Sequence, residues 1–397
     1  MQLSLQFVIG LALTSAVALA SEVNQGMSVP LERRVSFVKS DNQLDVKALA
    51  AHFKAVNNKY KTAMKNYKSN TGKDFPLLRM LLGDKRSGGT GSVELTDVEH
   101  EQLWTGKITV GGQSFQIDFD TGSADLIVNP GGYNPDKSKS AHNTGQHFRS
   151  SYADGTTSTG NIYQDEFQIA GLTAQKVPVG HSVKTFVENE QGNQGIAGLS
   201  FNSISSFPKQ YSKSFFYALR EQKAISQGVV QFNIKAGQGS QMYIGGQDQS
   251  KISGDVAWAS VDPSKGFWST EGQINGKKIN AIVDTGSTII SAPTDQVREL
   301  FSSLHGVQAF QQEGSYFGAY DCNQNIKLTF TFANKQFTLP KKLTSFGQSN
   351  GKCVLPISGM DQIPMDAWII GDVFFQTATV IFDADKNRIG FAEQNGN

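Results

Sequence analysis

The chain is short of cysteine, with only Cys322 and Cys353 in 397 residues. Neither has the local context of a known thiol nucleophile. It is short of net charge, 36 Lys and Arg against 35 Asp and Glu, for a formal +1. That total carries no signature of nucleic-acid binding. Beyond the first twenty residues no run is long and apolar enough to span a membrane. The last residues, Phe391 to Asn397, lack the apolar tail of a lipid-anchor signal. Asn-x-Ser/Thr is absent, so N-glycosylation is not expected. Gly-x-Ser-x-Gly is also absent, and no phosphate loop or metal constellation is evident, so no cofactor is implied. His100-Glu101-Gln102-Leu103-Trp104 begins like a zinc-protease motif, but Trp104 stands where the second His is needed.

What is present comes twice. Ser114 to Ser123 ends in Asp120-Thr121-Gly122-Ser123, and Lys278 to Ser287 ends in Asp284-Thr285-Gly286-Ser287. Upstream, Gly111-Gly112 falls opposite Asn275-Gly276, dipeptides that tight hairpins favour because both central residues take positive φ. Each copy reads as strand, two-residue turn, strand, Asp-Thr-Gly. One such tripeptide alone reads as a turn after a strand. A second repeat follows: Gly195-Ile196-Ala197-Gly198 lies downstream of Asp120 and Trp368-Ile369-Ile370-Gly371 downstream of Asp284, with the glycines at offsets of 78 and 87 residues. An internal duplication is the simplest cause. A Gly at such a place lets another backbone come close.

With Tyr152-Ala153-Asp154-Gly155-Thr156 and Ile369-Ile370-Gly371-Asp372-Val373-Phe374, these motifs make the chain resemble the pepsin-family aspartic endopeptidases of the secreted fungal type, from about Val93 to Glu393. The resemblance implies an all-β, bilobal fold of two β-barrel lobes with a cleft between them. It implies protein or peptide substrates and pepstatin-type inhibitors. It makes Asp120 and Asp284 the catalytic pair, and Thr121 and Thr285 the residues that lock the two loops together. Ser123 and Ser287 would bond the outer carboxylate oxygens, and Gly122 and Gly286 would leave room for water and substrate. Tyr152 would head a mobile flap running through Ala153, Asp154, Gly155 and Thr156. Two carboxyls a hydrogen bond apart cannot both ionise cheaply, so they share a proton and serve as base and acid at once. The usual assignment makes Asp284 the base and Asp120 the acid. The same fold with a dead cleft, used for binding, is the alternative; such relatives usually lose an aspartate or a neighbouring glycine, and here both motifs are intact.

Several positions depart from the common pattern. Ile127 stands where many members carry Trp, and Ala153 where Gly is usual. Asp118 replaces an apolar residue, and Asp154 adds an acid to the flap. These acids, with Ile196 as an apolar wall, are expected to line the pocket for the residue before the cut. That predicts tolerance of Lys beside the usual large apolar side chains.

The first half of the chain also carries a leader. Residues 1–20 read as a secretory signal peptide, apolar from Phe7 and closing on Ala18-Leu19-Ala20, although no Lys or Arg precedes the core. The product is expected to be released, with no membrane anchor. Residues 21–86 hold 13 Lys and Arg against 6 Asp and Glu, a net of +7 before a body of net −6. The resemblance makes this a propeptide that covers an acidic cleft as an intramolecular inhibitor. Asp45 to Lys68 has helical character, with Leu49, Phe53 and Val56 on one face. A Lys between the two aspartates would hold both ionised. Lys59, beside Tyr60, is the candidate, with Lys61, Lys65 and Lys68 as rivals. The pair Lys85-Arg86 precedes a Gly-rich stretch and suits a kexin-like cut, with self-cleavage around Leu81-Leu82 as the alternative.

The remaining boundaries are 87–262 for the first catalytic lobe and 263–397 for the second, with the crossover near Trp258 to Asp262. Alternating strands dominate, for example at 106–110, 229–234 and 240–244, and two short helices are expected near 214–223 and 294–304, the second capped by Thr294. In a secreted chain an even cysteine count suggests a disulfide, and the family places a bridge at the position of Cys322 and Cys353; two buried thiols are the alternative. The bridge that pepsin itself has in its first lobe is missing. The duplicated halves make a homodimer unnecessary, so a monomer is expected.

Overall fold

The computed structural model describes residues 26–33, 46–75, 104–151, 157–183, 193–235, 239–312, 314–349, 351–361 and 363–395. The expected signal peptide, the Lys85-Arg86 cut and the flap tip Tyr152 to Thr156 lie outside the described residues.

Both repeats fold as anticipated. Strand Trp104–Val110 turns through Gly111 (φ 54) and Gly112 (φ 77) into Gln113–Asp120, with Val110 opposite Gln113. Strand Ser269–Ile274 turns through Asn275 (φ 47) and Gly276 (φ 82) into Lys277–Val283, with Ile274 opposite Lys277. Positive φ at both central residues is the geometry that matches the right-handed twist of the flanking strands. In the first half, eight strands form one sheet, and a pairing between Trp104–Val110 and Thr157–Ile169 closes it into a barrel. The second half builds a ten-stranded sheet around the equivalent hairpin.

A third sheet was not legible in the repeats. Five of its six strands come from the ends of the two lobes: Val229–Asn233 lies between Gln241–Ile244 and Ala378–Asp383, and Arg388–Gln394 lies between Ala378–Asp383 and Ile252–Ser260. The sixth strand is Met27–Pro30 of the leader, antiparallel to Gln241–Ile244 at the sheet's edge. Strand Ile252–Ser260, which precedes the expected lobe boundary, therefore pairs with the C-terminal strand.

Helices are few. Phe215–Glu221 and Thr294–Ser303 fall where the sequence placed them. Thr294 is not the cap, however. Pro293 takes that position with ψ 134, and its carbonyl accepts from Val297 N at 3.0 Å, so Thr294 opens the first turn. The leader helix runs from Val46 to Thr71. Its buried stripe includes Leu49 and Val56 and continues through Tyr60, Ala63, Met64 and Tyr67, at helical spacing. The side chain of Phe53 lies outside the described residues. Tyr60, Tyr67 and Phe75 are buried together against Phe267, and each buried ring contributes about 1.5–3 kcal/mol. Cys322 and Cys353 form the disulfide, with Cα atoms 5.0 Å apart and a separation of 31 positions in sequence. Among the described residues no helix is long and apolar enough to cross a membrane.

Candidate active site

Each Asp-Thr-Gly stands where a central strand runs out. Gln113–Asp120 lies parallel to Gly195–Gly198, with Asp120 opposite Gly198 and Asp118 opposite Ile196. Lys277–Val283 lies parallel to Trp368–Ile370, and Asp284 N donates to Ile370 O at 3.0 Å. A side chain on Gly198 would run into the backbone of Ala124 and Asp125. One on Gly371 would run into the carbonyls of Ser287 and Ile289. The repeated glycines are thus the points where the active loops cross a neighbouring strand, which is the close approach their residue type allows.

The threonines tie the two loops to each other. Thr121 N donates to Thr285 Oγ1, and Thr285 N donates to Thr121 Oγ1, both at 3.0 Å. Thr121 Oγ1 donates to Val283 O at 3.0 Å, and Thr285 Oγ1 to Phe119 O at 2.6 Å. All four groups are buried, so breaking the ring leaves polar groups unpaired away from water. The ring fixes where the two aspartates point. Asp120 Oδ1 accepts from Gly122 N at 2.8 Å, and Asp284 Oδ1 from Gly286 N at 3.0 Å. A Cβ on Gly286 would collide with the Asp120 carboxyl, and one on Gly122 with that of Asp284. Each carboxyl leans over the other loop's glycine, and the two meet.

The serines differ. Ser287 Oγ donates to Asp284 Oδ2 at 2.5 Å. Ser123 lies close enough to Asp120 to favour its ionised form, but its buried Oγ makes no hydrogen bond of proper geometry. Lys59 of the leader helix reaches the point where the carboxyls meet. Its Nζ is 3.0 Å from Asp120 Oδ1 and 2.8 Å from Asp284 Oδ2. Tyr60 OH adds a bond to Asp284 Oδ2 at 2.9 Å. Lys61, Lys65 and Lys68 do not reach the pair; Lys68 bonds to Asp74 within the leader.

These contacts split the pair electrostatically. Burial pushes both carboxyls up. At Asp284 the charge of Lys59 and hydrogen bonds from Asp120, Lys59 and Ser287 outweigh burial and hold it at about 2. Asp120 stays above its ordinary value because the Asp284 charge adds to burial, against Lys59. Of the two, Asp120 therefore binds a proton more readily than Asp284. Burial works against the charge on Lys59, but the two carboxylates overcome it and raise its pKa. A further carboxyl, Asp372, is 1% exposed, and neither of its oxygens has a hydrogen-bond partner. Burial, then the charges of Asp118 and Asp284, push it well above the ordinary range. Sequence reasoning named Asp372 only as part of a motif; its signal was a charged residue in an otherwise apolar run.

Between the leader helix and the first lobe lies a gap of about 30 Å³ lined by Lys59, Ala63, Asn66, Ser123, Ile127 and Ile196, among others. Ile196 lines this gap. Asp118 is not among the lining residues; it is 5% exposed on the strand next to Ile196.

A sequence profile of the eukaryotic aspartyl protease family matches residues 103–394. Secreted aspartyl protease 1 of Malassezia globosa is 46% identical over 394 residues, covering 99% of both chains. An aspartic protease of Phaffia rhodozyma is 31% identical over 77% of this chain and 79% of its own. A probable inactive secreted aspartyl protease of Malassezia globosa is 28% identical over 78% of this chain and 83% of its own. The chain belongs to the eukaryotic aspartyl protease family, and its class of activity is aspartic endopeptidase.

Proposed function

We propose that the chain is a secreted aspartic endopeptidase made as a zymogen, with Asp120 and Asp284 as its acid and base. The carrying observation is that two loops from two repeats, tied by Thr121 and Thr285, present both carboxyls to one point, within 3.0 Å of a single Lys59 nitrogen. A cation held by both oxygens marks the place a water takes once the leader is gone.

In the reaction, Asp284 takes a proton from that water as its oxygen bonds to the peptide carbonyl carbon. Asp120 gives its proton to the carbonyl oxygen, so a neutral tetrahedral diol forms. The diol collapses as the C–N bond breaks. Asp284 returns its proton to the leaving nitrogen, and Asp120 recovers one from the diol hydroxyl. No cofactor enters. Tyr152 and the flap that follows it would close over substrate and exclude water. The residue before the cut sits against Ile196, with Asp154 and Asp118 supplying negative field for Lys.

The test is cleavage of denatured haemoglobin between about pH 2.5 and 7, with and without pepstatin, beside Asp120→Asn. Pepstatin-sensitive acid cleavage that drops at least ~100-fold in the variant is the expected result. Activity that survives the substitution would overturn the assignment. For specificity, Asp154→Ser should lower kcat/KM for a peptide with Lys before the scissile bond about tenfold relative to its Phe counterpart, the size of a weakly screened charge pair. An unchanged ratio sinks that part of the reading.

A further inference from the structure

The short turn after Gly198 leaves carbonyls over. Asn202–Ile204 form one 3-10 turn, in which Ile204 N donates to Phe201 O and Ser205 N to Asn202 O, both at 3.2 Å. The next amides do not fold back onto it. Ser206 N donates to Asp125 Oδ2 at 2.6 Å, and Phe207 N to Ser205 Oγ at 3.1 Å. The carbonyls of Ser203, Ile204 and Ser205 are therefore left to donors from outside the turn, as at the end of any helix. Two side chains of the leader helix meet them. Asn66 Nδ2 donates to Ile204 O at 3.1 Å. Asn70 Nδ2 donates to Ser203 O at 3.1 Å and to Ser205 O at 2.9 Å.

The rest of this rim also favours donors. Asn202 Oδ1 is buried with no hydrogen-bond partner among the described residues. The Ser203 hydroxyl is likewise unpartnered, and it can accept as well as donate. The buried Asp125 carboxylate accepts from Ser205 Oγ and from Ser206 N and Oγ, so the rim is braced against the loop that begins at Asp120. The helix lies along the cleft, with Asn57 Nδ2 on Asp361 O at 3.3 Å and Lys59 at the paired carboxyls. At about 1.5 Å a residue, Asn66 and Asn70 stand ~10 and ~16 Å along the helix from Lys59. An extended peptide covers about 3.3 Å a residue, so the same distances are reached about three to five residues from the bond being cut.

We propose that the carbonyls of residues 203–205 form a substrate subsite that selects side chains carrying N–H donors, namely Asn, Gln, Arg or Lys, about three to five residues from the scissile bond. This deepens the endopeptidase reading above and rests on it. The carboxamides of Asn66 and Asn70 show the chemistry that the rim takes. A carbonyl oxygen accepts and never donates, so an amide or guanidinium pairs with it, an apolar side chain leaves it unpaired, and a carboxylate is repelled.

The experiment uses the active secreted protein of the haemoglobin assay and a peptide with one cleavage site at Phe in an otherwise Ala-rich host. From the fifth residue before the cut to the fifth after it, each position is occupied in turn by Gln, Arg, Met or Glu. Values of kcat/KM are read by mass spectrometry at about pH 5, where glutamate is largely ionised. At one position in the third to fifth places on one side, Gln and Arg should exceed Met by about three- to tenfold, the worth of a hydrogen bond, and Glu should fall below Met. Gln and Met are nearly the same length, so fit alone does not separate them. Two variants then test the place. Asn202→Asp should raise the Arg-to-Met ratio at that position about threefold, and Asn202→Lys should lower it by a similar factor. Opposite shifts do not arise from a loosened fold. Gln and Met equal within about twofold at all of those places on both sides overturn the proposal and leave the protease reading intact. An Arg-to-Met ratio that is unchanged, or that shifts the same way in both variants, overturns it as well. If no peptide and no denatured protein is cut, the protease reading itself fails.

Discussion

The two Asp-Thr-Gly loops have nearly the same backbone and opposite electrostatics. Both follow a positive-φ hairpin, both end a central strand, and both hold their aspartate by the amide two residues on. Yet Asp284 is driven down to about 2 while Asp120 is driven up. The difference comes from side chains added to a symmetric frame. Ser287 bonds its aspartate and Ser123 does not. Tyr60 bonds Asp284, and Lys59 stands slightly nearer to it. A duplicated scaffold supplies two equal carboxyls, and a few local donors decide which of them binds a proton more readily.

The symmetric part can be broken first. Gly286→Ala and Gly122→Ala should each cut kcat/KM at least ~100-fold, because a Cβ there displaces the opposite carboxyl by a large fraction of an ångström. Steady-state assay of the two purified, folded variants checks this. If one glycine tolerates the change, the loops are not equivalent where they meet. Next in size is the threonine ring. Thr121→Ala and Thr285→Ala each strand two buried backbone groups and should each cost about 2–4 kcal/mol in urea unfolding. Because the four bonds form one network, the double variant should cost less than the sum. Simple additivity would mean that the bonds act separately.

The smallest effect sharpens the asymmetric part. Ser287→Ala removes a donor that favours the ionised Asp284. Its pKa should rise, and the acid limb of the kcat/KM profile should move up by about one pH unit, the worth of one hydrogen bond to a charge. Ser123→Ala removes no well-formed bond and should shift the limb by less than half of that. Equal shifts would show that the asymmetry belongs to the leader-bound form alone.

Local pattern made much of this readable. The hairpins followed from Gly111-Gly112 and Asn275-Gly276, because few residues accept positive φ at both turn positions. A lysine that blocks the pair could be expected from the resemblance, with Lys59 beside Tyr60 as candidate, but only the folded chain separates it from Lys61, Lys65 and Lys68. Other features were hidden because they depend on partners far along the chain. Nothing local in Met27–Pro30 announces a strand that needs Gln241–Ile244 to exist. Asn66 and Asn70 read as solvated polar residues until the carbonyls of residues 203–205 are set against them.

The family, the paired aspartates and the loops that carry them were written in one dimension, since each rests on short-range turn chemistry that duplication repeats. Three other properties required the folded chain. One was the sheet shared between the two halves, and another was the buried, unpaired Asp372. The third was the difference in proton affinity between two like carboxyls. Each is set by distance and dielectric among residues from different parts of the chain, and spacing along a sequence encodes neither.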